Sequence, residues 1–238
     1  MQYDYKEASL KTRNAIRLLE LFPGAPDDPI IHIAIYRTNL KAAKSTFEAL
    51  SYTWGNEKLR KTIYCCANRT QQLNISLNCY TALRYLRHER DKRTLWIDAI
   101  CINQSDAIER SAQVRMMGDI FASASLVVVF LGESNAGSDS LFRHLKAADD
   151  WIDSGKYVEA LPPPDKFIVD ELGNLLDRPW FSRIWVIQEI FNASKFIFMC
   201  GHNTATYEAV SSCLFGHRAR NRVTHRMPIP LEIIFASC

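Results

Sequence analysis

Residues 95–104 constrain the fold of this chain most strongly, because a single carboxylate interrupts an apolar run there. Residues 95–100 are flanked by charge on one side and by polar loop residues on the other, a pattern typical of a strand covered on both faces. Asp98 stands where the apolar run should continue. Since an unpaired buried charge is costly, we expect this carboxylate to have a partner or a function. Ligands of open α/β sheets bind beyond the carboxyl ends of the strands, so residues 98–106 are a candidate site wall.

The rest of the chain is predicted to alternate between strands and helices. Strands are expected at residues 14–21, 30–36, 47–53, 61–66, 95–100, 126–131 and 195–200, and helices at 76–88, 106–124, 140–153, 165–176, 180–191 and 206–215. Ser76 is the expected cap of the first helix, and Asp106 and Glu109 have capping-box spacing at the start of the second. The pattern predicts an α/β fold with a parallel sheet flanked by helices, additional β-structure before residue 75 and a helical insertion at 133–177.

The charge balance and the distribution of apolar residues exclude several classes of protein. The 29 basic and 26 acidic residues give a net charge of +3, too even a balance to indicate nucleic-acid binding. No apolar run is long enough to span a bilayer, and residues 1–11 are too polar for a signal sequence. We therefore expect an intracellular, cytoplasmic protein that neither spans a membrane nor binds nucleic acid.

Cysteine usage indicates reduced thiols. The seven cysteines are an odd number and show no C-x-x-C spacing, which favours buried thiols over disulfides or a zinc site. Cys200 and His202 could supply two metal ligands, but no matching pair stands elsewhere. No histidine is placed by sequence to activate Cys101 as a nucleophile, so we expect a packed thiol there. No metal site is predicted.

The chain is predicted to form one domain, residues 15–216, between an N-terminal tail at 1–14 and a C-terminal segment at 217–238. The C-terminal segment ends in apolar residues, as if cut from a longer chain, and its first part, 217–226, is locally basic. That basic cluster indicates a solvated face or linker, with a partner-binding patch as the alternative. Three prolines at 162–164 indicate a stiff turn, with a polyproline surface as the alternative. The C-terminal segment and the insertion are thus candidate surfaces for a protein partner.

A second candidate site wall lies at residues 47–55. These begin apolar and end in the polar group Ser51, Tyr52, Trp54 and Gly55. One interpretation is a site wall beside the first. The other is a strand that leaves the core through a tight turn at Gly55.

Three blocks of sequence together resemble the fungal heterokaryon-incompatibility (HET) domain. They are residues 47–55, residues 95–104 with the continuation 109–114, and residues 178–189. The resemblance extends over most of residues 15–202. It implies a fungal intracellular protein whose family triggers cell death when genetically different hyphae fuse.

HET domains are in turn similar to TIR signalling domains, some of which hydrolyse NAD, and this similarity implies a TIR-like, flavodoxin-like sheet. In such domains a strand ending in Ser-Tyr, a second strand with a substrate-gating loop, and a helix bearing W-x-x-x-E surround the nucleotide. Ser51-Tyr52, the loop after Asp98, and the segment 185–189 match those parts in order. The resemblance implies NAD as candidate substrate, no bound cofactor and Glu189 as the catalytic residue. The implied substrate-binding residues are Ser51, Tyr52, Trp54, Gly55, Asp98, Asn103, Gln104 and Trp185.

The implied chemistry needs only one acid. Cleavage of the bond between nicotinamide and ribose builds oxocarbenium character, which a carboxylate stabilises directly. Glu189 is chemically sufficient because the pyridinium departs as a neutral molecule, and Trp185 or Trp54 could stack on a ring. Trp185 and Glu189, four residues apart, are predicted to share one strip of a helix.

Glu189 and Asp98 also have purely structural interpretations. Glu189 could be a helix-surface carboxylate paired with Arg183 or Lys195. Asp98 could accept backbone N–H bonds from the loop at 101–104. Two functions of different class follow: an NAD-consuming enzyme, and a non-catalytic module that signals by self-association. A homo-oligomer is expected when the protein is active.

Overall fold

The computed structural model describes residues 1–12, 14–56, 58–65, 71–155 and 164–221. The chain is α/β and divides into two compact units. The first unit contains Met1–Val128 and Gln188–Lys195, and the second contains Val129–Ile187 and Phe196–Cys238.

The first unit carries most of the β-structure. Its elements are a 3₁₀-helix at Tyr5–Ala8, β1 (Ala15–Leu21), β2 (His32–Asn39), β3 (Glu48–Tyr52), β4 (Arg60–Cys65), β5 (Gln71–Ser76), α1 (Leu77–Leu86), β6 (Arg93–Trp96), α2 (Asp98–Cys101) and α3 (Ala107–Ser123). The next strand, β7 (Leu126–Phe130), begins in this unit. Four strands other than β3 therefore precede residue 77, which confirms the predicted additional β-structure.

The second unit is mainly helical. After the end of β7 come α4 (Ala136–Asp153), α5 (Lys166–Leu176), a 3₁₀-helix at Pro179–Ser182, α6 (Val186–Ile190), β8 (Phe196–Cys200), β9 (Asn203–Thr206) and α7 (Tyr207–Asn221). The last three residues of α6 belong to the first unit. The two helices predicted within the segment 133–177 are present as α4 and α5. The predicted C-terminal segment at 217–238 lies largely outside the described residues, as does most of the proline run at 162–164.

The strand order, among the described residues, is that of a mixed nine-stranded sheet: β5-β4-β2-β1-β6-β3-β7-β8-β9. The predicted neighbourhood of β6, β3 and β7 is confirmed. β3 runs parallel to β6, with Glu48 opposite Leu95 and Ala49 opposite Trp96. The predicted parallel sheet is confirmed only in part, because β1 is antiparallel to both β2 and β6, and β9 is antiparallel to β8. A connection as short as Gly201-His202 permits only a hairpin, since parallel strands need a long crossover.

The strand predicted at residues 95–100 is shorter than expected. β6 ends at Trp96, and Asp98 begins the short helix α2. Asp98 Oδ1 accepts a hydrogen bond from the backbone N–H of Ala99 at 2.7 Å. This local bond competes with a strand ladder, and a carboxylate is favourable in the first turn of a helix. The apolar run therefore stops being a strand before Asp98, where the short helix α2 begins.

The prediction of one continuous helix at residues 180–191 is wrong. A 3₁₀-helix ends at Ser182, a turn follows, and α6 begins only at Val186. Trp180 and Phe181 are consecutive, both 1% exposed, and pack edge to face with ring centroids 5.0 Å apart. Burying adjacent aromatic rings is incompatible with one amphipathic strip, which spaces its core residues three or four apart. Ile184 follows Trp180 at the four-residue spacing of a core strip, yet it is 75% exposed.

None of the helices in the described ranges is long and apolar enough to cross a membrane.

Candidate functional site

Two predicted site residues meet in the first unit, where Glu189 of α6 contacts Ser51 of β3. The Ser51 hydroxyl donates a hydrogen bond to Oε2 of Glu189. Both side chains are buried, with exposed fractions of 1% and 2%. Strand β3 supplies the hydroxyl near its carboxyl end, where α/β sheets place their ligands. The structure thus joins residues that are 138 positions apart in sequence.

A second polar contact lies beside the first, at the end of β6. Asp98 Oδ2 accepts a hydrogen bond from the indole Nε1 of Trp54 at 2.8 Å, and Asp98 itself is half-buried. Since Ala49 pairs with Trp96 in the parallel β3–β6 ladder, Ser51 and Asp98 follow that pair by the same two residues. The N–H of Ala99 and the indole of Trp54 both donate to this carboxylate.

The loop after α2 contains Asn103 and Gln104, which occupy different surroundings. Gln104 Nε2 donates to the Asp98 carbonyl oxygen at 2.9 Å, which keeps Gln104 beside the predicted site. Asn103 lines a separate cavity of about 320 Å³ in the first unit. The other residues lining this cavity are Gln2, Tyr3, Asp4, Tyr5, Lys6, Ser9, Ser105, Asp106 and Glu109.

Tyr52 and Gly55 have evident structural roles. Tyr52 is 2% exposed. Burial raises the pKa of the neighbouring Cys79 thiol, and a hydrogen bond with Tyr52 opposes that shift. Gly55 has φ +73°, and a Cβ there would lie 2.6 Å from Nδ2 of Asn78. Asn78 in turn donates to the carbonyl oxygen of Thr53 at 3.0 Å. These contacts support the tight turn that was one interpretation of Gly55.

Trp185 does not share a strip with Glu189. Trp185 lies in the turn before α6 and is 46% exposed, whereas Glu189 is 2% exposed. The two residues also belong to different compact units. The predicted strip on one helix is therefore wrong, because α6 begins only after Trp185.

Sequence reasoning missed a buried charge near α2, which is Arg17 of β1. Its side chain is fully buried and forms an ion pair with Glu109, with Nη1 2.6 Å from Oε1. Glu109 was predicted to complete a capping box, but only Asp106 caps α3, accepting from the N–H groups of Ile108 and Glu109. Arg17 interrupts an apolar strand just as Asp98 does, so the same signal could have found it.

Within the described part of the chain, no group of three or more His, Cys, Asp or Glu residues is arranged to hold a metal ion. The five described cysteines, which are Cys65, Cys79, Cys101, Cys200 and Cys213, are buried thiols that take part in no disulfide.

Comparisons with known proteins point to one family. Residues 47–189 match the family model described as heterokaryon incompatibility protein (HET). The chain is also 31% identical, over 238 aligned positions, to heterokaryon incompatibility protein 6, OR allele, of Neurospora crassa. That alignment covers 83% of this chain and 35% of the relative, so the chain spans about a third of the relative's length. No solved structure matches.

Proposed function

Because the chain belongs to the heterokaryon incompatibility family, we propose that it acts in heterokaryon incompatibility as an effector of programmed cell death. The family match extends from residue 47 to residue 189 and so includes β3, β6 and α6. The relative in Neurospora crassa carries incompatibility in its name.

The proposed chemistry is hydrolysis of the nicotinamide–ribose bond of NAD at Glu189. One observation carries this step: a buried carboxylate is held by a serine near the carboxyl end of a strand in an α/β fold. The resemblance to the W-x-x-x-E segment of nucleotide-cleaving TIR domains supports the same residue. A carboxylate in a dry site stabilises developing positive charge far better than one in water.

The reaction breaks one bond to the ribose C1′ and forms another to it. The bond between ribose C1′ and the nicotinamide nitrogen breaks, and its electron pair leaves with nicotinamide as a neutral molecule. Glu189 stabilises the positive charge that develops on the ribose. Water then bonds to C1′ and releases a proton to solvent, which gives ADP-ribose. Asp98 could accept hydrogen bonds from ribose hydroxyls, since a carboxylate oxygen has capacity for more than one donor.

Burial of Glu189 means that substrate must gain access by a local movement. The carboxylate is 2% exposed, and α6 is only five residues long. A helix of that length has little stability of its own, so a shift of α6 is the expected opening step. Self-association of the chain is the proposed trigger of this step, in keeping with a homo-oligomeric active state.

The test is a time course of NAD with concentrated purified protein. Nicotinamide and ADP-ribose are separated by chromatography for the parent and for Glu189→Gln, which keeps the shape and removes the charge. We expect turnover to fall by roughly two orders of magnitude, as lost electrostatic stabilisation typically does. Glu208→Gln is the matched control, because Glu208 is an exposed glutamate at the start of α7. A parent that leaves NAD intact would remove the enzymatic proposal.

A second candidate function is a non-catalytic signalling module that acts by self-association or partner binding. The burial of both Ser51 and Glu189 favours it, because a side chain with 1% or 2% exposure is also what a purely structural pair would show. This candidate gains if the parent self-associates and kills cells while NAD stays intact.

A further inference from the structure

Arg17 reaches from the middle of β1 to the far end of α2. Its Nη1 donates to the carbonyl oxygen of Cys101 at 3.0 Å, and its Nε donates to the carbonyl oxygen of Ala8 at 2.8 Å. Cys101 is the last residue of α2, and such terminal carbonyls have no partner within the helix. The guanidinium therefore fixes the end of the same short helix whose first residue is Asp98.

Glu109 completes the pair and extends it into the loop after α2. Arg17 Nη1 and Nη2 donate to Oε1 and Oε2 at 2.6 and 2.9 Å, which is a two-point contact. Glu109 Oε1 also accepts the backbone N–H of Asn103 at 2.7 Å. A two-point arginine–carboxylate pair fixes orientation as well as distance. The pair thus ties β1 to the backbone on both sides of Ile102.

Neighbouring groups reinforce the same segment. The Tyr5 hydroxyl donates to the carbonyl oxygen of Ile100 at 2.8 Å, and the Tyr5 ring lies 4.8 Å from Cζ of Arg17. Arg110 Nη1 donates to the carbonyl oxygen of Gln104 at 2.7 Å, and Gln104 Nε2 donates to that of Asp98. These hydrogen bonds, together with the intervening backbone, connect the buried ion pair to Asp98.

We propose that Arg17 and Glu109 are positioning residues that hold α2 and the following loop so that Asp98 and Gln104 bind the ribose hydroxyls of a dinucleotide. The proposal rests on the proposed function, in which NAD supplies that ribose. A buried ion pair is a costly way to stabilise a core, because desolvation offsets the attraction. The pair instead fixes the orientation of α2 and the following loop. These carry Asp98 and Gln104, which are predicted to bind substrate.

The Asp98 carboxylate is suited to a vicinal diol. Trp54 Nε1 and the N–H of Ala99 each occupy one acceptor direction, one on each oxygen. A carboxylate oxygen can accept hydrogen bonds from more than one donor. Two adjacent hydroxyls can therefore donate to a carboxylate whose orientation is already fixed, which reduces the entropy lost on binding.

The first test is calorimetric titration with ADP-ribose, together with steady-state hydrolysis of NAD. Glu109→Gln keeps the shape but removes the charge that orients Arg17. We expect it to weaken ADP-ribose binding and raise KM for NAD by about tenfold or more, with kcat changed much less, because the ligand-facing groups are displaced. Amide hydrogen exchange at residues 99–104 should accelerate in the same variant. Arg17→Lys, which lacks the fork of donors, should behave in the same way.

A matched control is Glu48→Gln. Glu48 of β3 pairs with Arg93 of β6 in the same unit, with Nη2 2.5 Å from Oε2. The Arg93 and Glu48 side chains are 14% and 24% exposed. Loss of this second pair should lower stability without changing the binding of ADP-ribose.

The outcomes separate the two proposals. A parent that binds ADP-ribose without cleaving NAD, and a Glu109→Gln protein that binds it more weakly, would support the positioning role and contradict the enzymatic one. A parent that does not bind ADP-ribose would overturn the positioning role. So would a folded Glu109→Gln protein that binds as tightly as the parent. Arg17→Lys gives the decisive measurement where Glu109→Gln does not fold.

Discussion

The hydroxyl of Ser51 donates a hydrogen bond to the carboxylate of Glu189, and the two side chains are almost completely buried. This bond links the end of β3 to α6 within the first compact unit. A buried carboxylate is costly unless it is hydrogen-bonded. The residue proposed to stabilise positive charge on a ribose is therefore also a residue on which local packing depends.

Ser51→Ala should lower the free energy of unfolding by about 1.5 to 3 kcal/mol, the usual contribution of a hydrogen bond to a charged group. Urea denaturation measures the change. Ser182→Ala is the control, since Ser182 is exposed and bonds only locally in the observed geometry, to the carbonyl oxygen of Pro179 at 2.9 Å. Equal midpoints for the parent and Ser51→Ala would contradict a stabilising role for the bond.

Asp98→Ala should cost on the order of 1 to 3 kcal/mol, because it removes the acceptor for Trp54 Nε1 and for the N–H of Ala99. Thermal unfolding gives the stability change, and the indole N–H resonance of Trp54 should shift in the same variant. Asp119→Ala, at an exposed position of α3, should leave both unchanged. An unaltered melting temperature, with Asp98 seen to point into bulk water, would refute this prediction.

Arg87→Lys should release the loop that precedes β2. The Arg87 guanidinium donates to the carbonyl oxygens of Ala25, Asp28 and Ile30 at 2.5, 2.6 and 2.7 Å. A lysine cannot reproduce this fork of donors, so we expect a loss of about 2 kcal/mol or more and faster hydrogen exchange at residues 24–30.

Arg84→Lys is the control for that change. Arg84 lies on α1, whose C-cap is Arg87. It is exposed and donates to the carbonyl oxygen of Pro26 at 2.9 Å. Similar losses of stability in the two variants would show that the buried fork of Arg87 has no special role.

Stability should decline above pH 9 in part because of Cys101. Burial raises the pKa of this thiol from 9.0 to about 12. The folded protein keeps the proton in that interval while the unfolded chain loses it, so the stabilisation is complete below pH 9 and is lost as the pH rises towards 12. The slope contributed by one thiol is at most about 1.4 kcal/mol per pH unit.

Cys101→Ala should therefore flatten the pH dependence. Urea midpoints between about pH 8.5 and 10.5 measure the slope for the parent and the variant, and only the difference between the slopes is assigned to Cys101. Parallel curves would show that this thiol does not titrate differently in the folded and unfolded states.

The parts of the fold that could be predicted from sequence are those set by local pattern. Segments rich in apolar residues located β3, β6 and β7, although the strand predicted at 95–100 ends at Trp96, before Asp98. Family resemblance alone implied that Ser51 and Glu189 lie at one site, because no local pattern links residues so far apart, and their hydrogen bond was not predicted.

The parts that could not be predicted depend on distant partners. Glu109 has the spacing of a capping residue, yet its carboxylate bonds to Arg17, 92 positions away. Trp185 and Glu189 have helical spacing, yet burial of the adjacent Trp180 and Phe181 breaks the helix before them. In both cases tertiary packing outweighs a local preference of a few tenths of a kcal/mol.

The proposed cellular role depends on the charge of Glu189. Overexpression of the parent in a fungal host should cause cell death, and Glu189→Gln should abolish most of it if the carboxylate stabilises a ribosyl cation, since turnover falls roughly a hundredfold. Survival counts and cellular NAD are measured together, with Glu208→Gln as the exposed control and immunoblots to show equal amounts of folded protein. The Glu189→Gln protein could kill as well as the parent, or cells could die with NAD unchanged. In either case death does not proceed through this carboxylate, and the non-catalytic signalling module becomes the better account.

If cell death and NAD loss fall together in Glu189→Gln alone, both effects depend on the charge of Glu189, because the substitution keeps the size of the side chain and changes little else.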